Sequence, residues 1–134
     1  MSYPADIELT TNENTYLKQW RKAILTNNIE EVLECYDYNS VLLGTIAPSY
    51  EVKKNNVRNY FVEFFGKNTI TDVTYLSVID QHLEQARFCL ISSGVYVFER
   101  LNDTPVKARF SFVFFKPAKT QNFIINHHSS IPAE

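Results

Sequence analysis

The chain is short of the residues on which several common classes of protein depend. It has only three glycines in 134 residues, and no glycine-rich phosphate loop. Its two cysteines, Cys35 and Cys89, lie far apart and match neither metal-ligand nor redox spacing. We therefore expect two buried reduced thiols, no disulfide, no metal site and no cofactor.

Charge and hydropathy exclude two further kinds of partner. The formal net charge is −2, with 13 basic and 15 acidic residues interspersed, so no basic stripe indicates nucleic acid. The longest apolar runs are only a few residues, too short to span a membrane. The first residues lack the basic start and apolar stretch of a signal peptide. We expect a cytoplasmic protein.

Apolar and aromatic residues are plentiful enough to build a core. Hydrophobic residues make up 45% of the chain, including ten phenylalanines and eight tyrosines. A chain of this length is the size of one ordinary domain. We predict a single domain over residues 1–134, in which residues 1–9 form a loose lead-in.

Apolar stripes at helical spacing predict three helices in the first half of the chain. Thr10 and Glu13 fit a capping box before the first helix, and Asn28 fits the N-cap of the second. Gly66 can adopt the left-handed conformation that commonly ends a helix, and it is predicted to end the third helix. The stripes are Tyr16, Leu17, Trp20, Ala23 and Ile24; Ile29, Val32, Leu33 and Tyr36; and Val57, Tyr60, Phe61, Phe64 and Phe65.

After Gly66 the composition changes to residues typical of strands. Helices followed by strands indicate an α+β fold with an antiparallel meander. Long strands twist and coil, and Gly94 is a natural bend point. We predict a curved antiparallel sheet with the three helices over its concave face, enclosing a pocket. A short strand is predicted at 40–44, a loop at 45–53, and long strands at 69–81, 86–100, 106–116 and 122–130.

The strand around Arg109 alternates between two faces. One face carries Phe110, Phe112 and Phe114, which form either the domain core or a subunit interface. The other carries Arg109, whose guanidinium would suit a carboxylate if that face lines the pocket. The alternatives for Arg109 are a surface position or a pairing with a structural acid such as Glu99.

The His127-His128 pair is the clearest functional signal. Adjacent strand residues point to opposite faces, so the pair cannot chelate one metal and at most one histidine faces the pocket. That histidine, with Asn126 or Ser129 nearby, is an acid/base, a hydrogen-bond donor or a structural residue. Which of the two faces the pocket stays open.

Two other kinds of side chain are weaker candidates. Asp72 and Asp80 lie on a predicted strand, where we expect them to face solvent. Tyr36 and Tyr60 lie on apolar helix stripes, and we expect core positions with hydroxyls that reach the cavity rim.

Several of these features together resemble the nuclear-transport-factor-2-like superfamily over residues 12–132. Within it, the chain is similar to bacterial proteins related to the association domain of calcium/calmodulin-dependent protein kinase II. The resemblance is carried by Trp20 and Ala23, Tyr36-x-x-Asn39-Ser40-Val41-Leu42, Tyr60-Phe61, Arg109-Phe110-Ser111-Phe112 and His127-His128-Ser129-Ser130-x-Pro132.

The resemblance implies a cone-shaped domain with a pocket, usually dimeric through the sheet. In the kinase association domain, pocket arginines are associated with small acids; Arg109 matches one of them, and Arg87 is a weaker second candidate. The superfamily also includes ketosteroid-isomerase-like enzymes and SnoaL-like polyketide cyclases, whose pockets use Asp and His. An equivalent Asp–His pair cannot be placed in this sequence.

Our leading hypothesis is a homodimeric or larger assembly that binds a small acidic or polar-apolar ligand. The second is an isomerase, dehydratase or cyclase that uses a pocket histidine as acid/base. The third is an oligomerisation module without a ligand. The predicted ligand-binding residues are Arg109, His127, His128, Tyr60, Tyr36 and Ser129, and the predicted interface residues are Phe110, Phe112 and Phe114.

Overall fold

Three helices and seven strands make up the described part of the chain. The computed structural model describes residues 5–10, 13–44, 51–52, 54–83, 89–115 and 122–131. The elements in chain order are β1 (Ala5–Thr10), α1 (Thr15–Leu25), α2 (Ile29–Leu33), β2 (Tyr36–Leu43), β3 (Glu51–Val52), α3 (Lys54–Lys67), β4 (Ile70–Leu83), β5 (Cys89–Arg100), β6 (Val106–Phe115) and β7 (Ile124–Ser130).

The strands form one sheet in the order β1-β4-β5-β6-β7-β2-β3. Strands β4 to β7 make the predicted antiparallel meander. One pair departs from the prediction, because β2 runs parallel to β7. A long stretch of chain separates these two strands, so no hairpin imposes antiparallel pairing on them. The predicted α+β class is confirmed, with a curved, open sheet.

The N-terminal predictions are wrong. Ala5–Thr10 is a strand rather than a loose lead-in, and it pairs with the second half of β4. This pairing covers an edge of the long β4 strand that would otherwise be unpaired. Thr10 therefore lies in β1, and α1 is capped by Asn14, whose side chain accepts from the Leu17 N–H at 2.9 Å. The predicted cap of α2 by Asn28 is confirmed.

Two boundaries in the predicted helices also differ. Tyr36 begins β2, since α2 already ends at Leu33. Gly66 lies inside α3, which continues to Lys67. The predicted loop at 45–53 contains the short strand β3, and residues 45–50 and 53 lie outside the described residues.

Gly94 sits beside an irregularity of the sheet, as its mid-strand position predicts. The register of β4 against β5 shifts between Tyr75 and Ser77, and Val78 then pairs with Gly94. A Cβ at Gly94 would lie 2.8 Å from the carbonyl carbon of Ser77 and nearer still to its oxygen. Glycine at this position therefore permits the close approach of β4 to β5.

Helix α1 is held against β4 by polar contacts along its length. The Tyr75 hydroxyl donates to the Leu17 carbonyl at 2.8 Å, and Arg21 pairs with Asp72 and donates to the Val73 carbonyl. These contacts position Trp20, which lies between Leu17 and Arg21 in sequence and is 1% exposed.

The N-terminus of α1 is tied to the sheet by a buried carboxylate. Asp80 is only 4% exposed and accepts hydrogen bonds from Asn14 Nδ2 at 3.0 Å and Ser92 Oγ at 2.6 Å. The expected solvent-facing position of Asp80 is therefore wrong, because its carboxylate anchors the residue that caps α1. Among the described residues, no helix is both long and apolar enough to cross a membrane.

Candidate functional site

A small cavity lies between the helices and the inner face of the sheet. It is lined by side chains of α1, α3 and the strands β5 and β7, and most of these are aromatic. Among the described lining residues none is charged. The lining consists of Trp20, Ile24, Tyr60, Phe61, Phe64, Tyr96, Phe98, His127 and Ser129.

The cavity is narrow in this conformation. Its enclosed part has room for a single water molecule. Including the mouth that opens to solvent, the space between the atoms is about 270 Å³. A ligand larger than water therefore requires side chains at the mouth to move outward.

A chain of buried hydrogen bonds closes the inner end of the cavity. The Trp20 indole donates to the Tyr36 hydroxyl at 3.2 Å, and that hydroxyl lies 2.8 Å from Nδ1 of His127. On the other side of the imidazole, Nε2 lies 3.2 Å from the Tyr96 hydroxyl, which bonds to Ser129 Oγ at 2.6 Å. We call these five residues the buried network.

The Trp20 indole N–H determines which group donates in each of these hydrogen bonds. An indole N–H can only donate, so the Tyr36 oxygen accepts from Trp20 and its own proton goes to Nδ1 of His127. Nε2 then carries the imidazole proton and donates to Tyr96, whose proton goes to Ser129. The opposite tautomer of His127 would leave the Tyr36 proton without an acceptor in the buried network.

Burial keeps the buried network uncharged. It lowers the pKa of His127 from 6.5 to about 3, with a smaller contribution from the neighbouring His128. Burial likewise raises the pKa of the Tyr36 and Tyr96 phenols above the ordinary value of 10. Near neutral pH the site therefore offers hydrogen bonds but no formal charge.

Aromatic packing holds His127 in place. Its ring stacks on Phe112, with centroids 3.9 Å apart and planes 17° from parallel. Trp20 meets the same imidazole edge-on at 5.6 Å. With both nitrogens bonded and the ring stacked on Phe112, the imidazole has one defined orientation.

The two histidines divide between the faces of the sheet, as predicted. His127 is 3% exposed and lines the cavity, whereas His128 is exposed on the outer face. Ser129 and Tyr60 line the cavity as well, and Tyr36 lies directly behind His127. Of the six predicted ligand-binding residues, four lie at or beside the cavity, and His128 lies away from it.

The structure contradicts the prediction for the sixth residue, Arg109. Arg109 is exposed on the outer face of β6, because the alternate residues Phe110 and Phe112 are the ones that point inward. Its side chain therefore does not line the cavity, and the predicted clamp for a carboxylate in the pocket is wrong. The weaker candidate Arg87 and the motif residue Pro132 lie outside the described residues.

The structure also contradicts the predicted subunit interface. Phe110, Phe112 and Phe114 are 4%, 0% and 0% exposed within one chain. They pack against residues of α1 and β5 such as Trp20 and Tyr96, so they form the core and leave no surface for a partner.

Sequence reasoning missed two members of the buried network. The sequence pattern gives Trp20 no polar role, and it does not single out Tyr96. A buried tryptophan or tyrosine normally needs a hydrogen-bond partner, which is the one signal that points to either residue. No group of three metal-ligating side chains occurs within the described ranges.

The fold and this geometry can be compared with known proteins. Neither a protein-family model nor a curated protein sequence matches the chain. Solved structures do. A proposed calcium/calmodulin-dependent protein kinase II association domain from Xanthomonas campestris is 24% identical, with a TM-score of 0.78 over 100% of this chain and 99% of that one.

Two further structures share the fold at lower identity. A proposed ketosteroid isomerase from Parabacteroides distasonis is 16% identical, with a TM-score of 0.72 over 92% of each chain. A nuclear-transport-factor-2-like protein of unknown function from Pseudomonas putida is 13% identical, with a TM-score of 0.73 over 89% of this chain and 83% of that one. The chain therefore has the nuclear-transport-factor-2-like fold, as the sequence resemblance implies.

Proposed function

We propose that this chain, with its nuclear-transport-factor-2-like fold, is a homodimeric domain that binds a small uncharged ligand in the cavity. The observation that carries the proposal is an apolar cavity that ends on a neutral hydrogen-bonding group. A carboxylate placed there would lose its hydration without meeting a cation among the described lining residues, which costs several kcal/mol. A ligand with an apolar body and one hydroxyl, carbonyl or amide matches the lining.

Entry of such a ligand involves the aromatic side chains of α3. Tyr60, Phe61 and Phe64 form one wall of the cavity, and Tyr60 lies against Gly44 at the end of β2. Trp20 and Ile24 of α1 also line the cavity, and α1 is held against β4. Changes of side-chain conformation on α3 can therefore widen the cavity while the buried network stays in place.

Tryptophan fluorescence tests the proposal directly, because Trp20 is the only tryptophan in the chain and it lines the cavity. We expect benzyl alcohol to change the emission of Trp20 in a saturable manner. Benzoate has the same ring but carries a charge, and we expect no saturable change with it. Tighter binding of benzoate than of benzyl alcohol would contradict the proposal.

A matched pair of variants separates the cavity from the rest of the core. Tyr96→Phe removes a hydroxyl from the lining, and we expect it to weaken binding of benzyl alcohol about tenfold. Tyr75→Phe removes a hydroxyl that is also buried but does not line the cavity. We expect this control to bind as the wild type does, so equal losses in the two variants would count against the site.

The alternative of a proton-transfer enzyme has less support. A histidine does face the cavity, but the pKa of His127 near 3 makes it too weak a base to take a proton at neutral pH. Both of its nitrogens are also occupied by Tyr36 and Tyr96. Among the described lining residues there is no carboxylate to replace it.

The outer face of the sheet supports self-association. Leu76, Ile79 and Phe115 are 47%, 40% and 41% exposed, and the half-buried Ile91 and Val113 lie on the same face. Apolar surface of this kind is typical of protein contacts. The Xanthomonas protein is itself named for an association domain.

Sedimentation equilibrium at micromolar concentration tests the dimer. We expect the wild type to be a dimer and Ile79→Asp to be a monomer. Leu101→Asp is a suitable control, because Leu101 is 57% exposed but lies on the turn after β5. A monomeric wild type would refute this part of the proposal.

A further inference from the structure

One side chain of α3 lies between the cavity and solvent. Among the described lining residues Phe64 alone is half-buried, whereas all the others are buried. The Phe64 side chain therefore contacts solvent as well as the cavity, while Trp20 and His127 lie further inside. A solute that enters the cavity has the Phe64 ring in its path.

The two neighbouring aromatic residues of the same wall are less free to move. Phe61 is only 2% exposed. The Tyr60 ring lies in a notch at the end of β2, because a Cβ at Gly44 would overlap that ring. The φ of Gly44 is one that other residues adopt, so glycine is needed there for the ring rather than for the backbone. The backbone at Gly44 therefore prevents Tyr60 from moving toward β2.

The backbone of Phe64 is held in place, but its ring is not. The Asn68 N–H and Nδ2 both donate to the Phe64 carbonyl, at 3.0 and 2.8 Å. Arg100 of β5 donates to Asn68 Oδ1 at 3.1 Å and so ties this end of α3 to the sheet. The Phe64 ring packs on other rings, including Phe65 at 5.3 Å and Phe98 at 5.8 Å between centroids. Such contacts are non-directional, and a helical phenylalanine has two accessible χ1 rotamers.

We propose that Phe64 is the gate of the cavity, and that rotation of its ring toward solvent admits the uncharged ligand. Tyr60 stays seated against Gly44 during this rotation and forms a fixed wall. The inference rests on the proposed binding function for its purpose. The motion itself does not need a ligand, because it follows from the exposure of Phe64 and from the contacts that hold its neighbours.

Acrylamide quenching of Trp20 fluorescence tests the gate without a ligand. Trp20 is the only tryptophan and is 1% exposed, so the quencher reaches it through the cavity. A minor open state is populated at about 10% or less, so Phe64→Ala should raise the quenching constant about tenfold or more. Phe65→Ala is the matched control, since Phe65 is a half-buried residue of α3 that is not among the lining residues. We expect it to be quenched as the wild type is.

Circular dichroism checks that each variant is folded, and Phe64→Leu replaces Phe64→Ala if the alanine variant is not. Quenching that stays at the wild-type value in the folded Phe64 variant overturns the gate. An equal rise in Phe65→Ala overturns it too, since α3 would then be loosened as a whole. Benzyl alcohol should lower the quenching of the Phe64 variant by filling the cavity. A raised quenching constant that benzyl alcohol does not lower supports the gate and contradicts the proposed ligand.

Discussion

Removal of one hydroxyl group from the buried network should destabilise the protein more than removal of a comparable hydroxyl elsewhere in the core. In Tyr36→Phe the ring stays, but the Trp20 indole loses its acceptor and Nδ1 of His127 loses its donor. Trp20 and His127 are 1% and 3% exposed, so neither group can turn to bulk solvent for a new partner.

The expected magnitude follows from the number of groups left unpaired. Each buried polar group without a partner costs about 1–3 kcal/mol, so the two groups together cost about 2–6 kcal/mol. Tyr75→Phe is the matched control, since the Tyr75 hydroxyl donates to a single carbonyl among the described residues, that of Leu17 at 2.8 Å. That carbonyl lies in α1, whose own ladder supplies a second donor, so we expect a loss of about 1 kcal/mol.

Urea unfolding followed by circular dichroism measures both free energies of unfolding. Protein concentration is kept the same for all samples, because self-association would shift the midpoint. The slope against urea should be unchanged, so that the difference in midpoint reports stability. If Tyr36→Phe costs no more than Tyr75→Phe, the buried network does not connect these residues as described.

Three further predictions concern single sites. Gly44→Ala should destabilise by about 1–3 kcal/mol, because its Cβ would stand 2.7 Å from the Tyr60 hydroxyl oxygen; thermal unfolding measures the loss. Ser40→Ala should raise stability by about 1 kcal/mol in urea unfolding, since the buried Ser40 hydroxyl has no partner in the described structure. The imidazole of His127 should not titrate between pH 8 and pH 4 by NMR. Because its folded pKa of about 3 is below the unfolded value of 6.5, its contribution to stability is full above pH 6.5 and is lost as the pH falls toward 3, and His127→Gln should remove that part of the pH dependence.

Strand alternation predicted which residues share a face of a strand, but it did not predict which face is buried. It separated Phe110 and Phe112 from Arg109 correctly, and His127 from His128. Both faces of β6 carry apolar residues, including Val113 on the side of Arg109. Packing of the helices decides which face is inside, and that information is absent from the strand itself.

The buried network was beyond sequence reasoning for a related reason. Its bonds join residues separated by 16 positions between Trp20 and Tyr36 and by 91 between Tyr36 and His127. Tyr36 also fits a helical stripe by spacing, although it begins β2 and pairs with Ile124 of β7. Long-range pairing overrode the local pattern there, as it did where Ala5–Thr10 joined β4.

The central claim is that the cavity accepts an uncharged ligand at the buried network. The most direct measurement is an NMR titration that follows the side-chain N–H signals of Trp20 and His127 with benzyl alcohol and with benzoate. We predict that benzyl alcohol shifts both signals to saturation and that benzoate shifts neither. Saturable shifts with benzoate alone would contradict the claim. Absence of saturable shifts with both compounds, in a protein that remains folded, would contradict it as well.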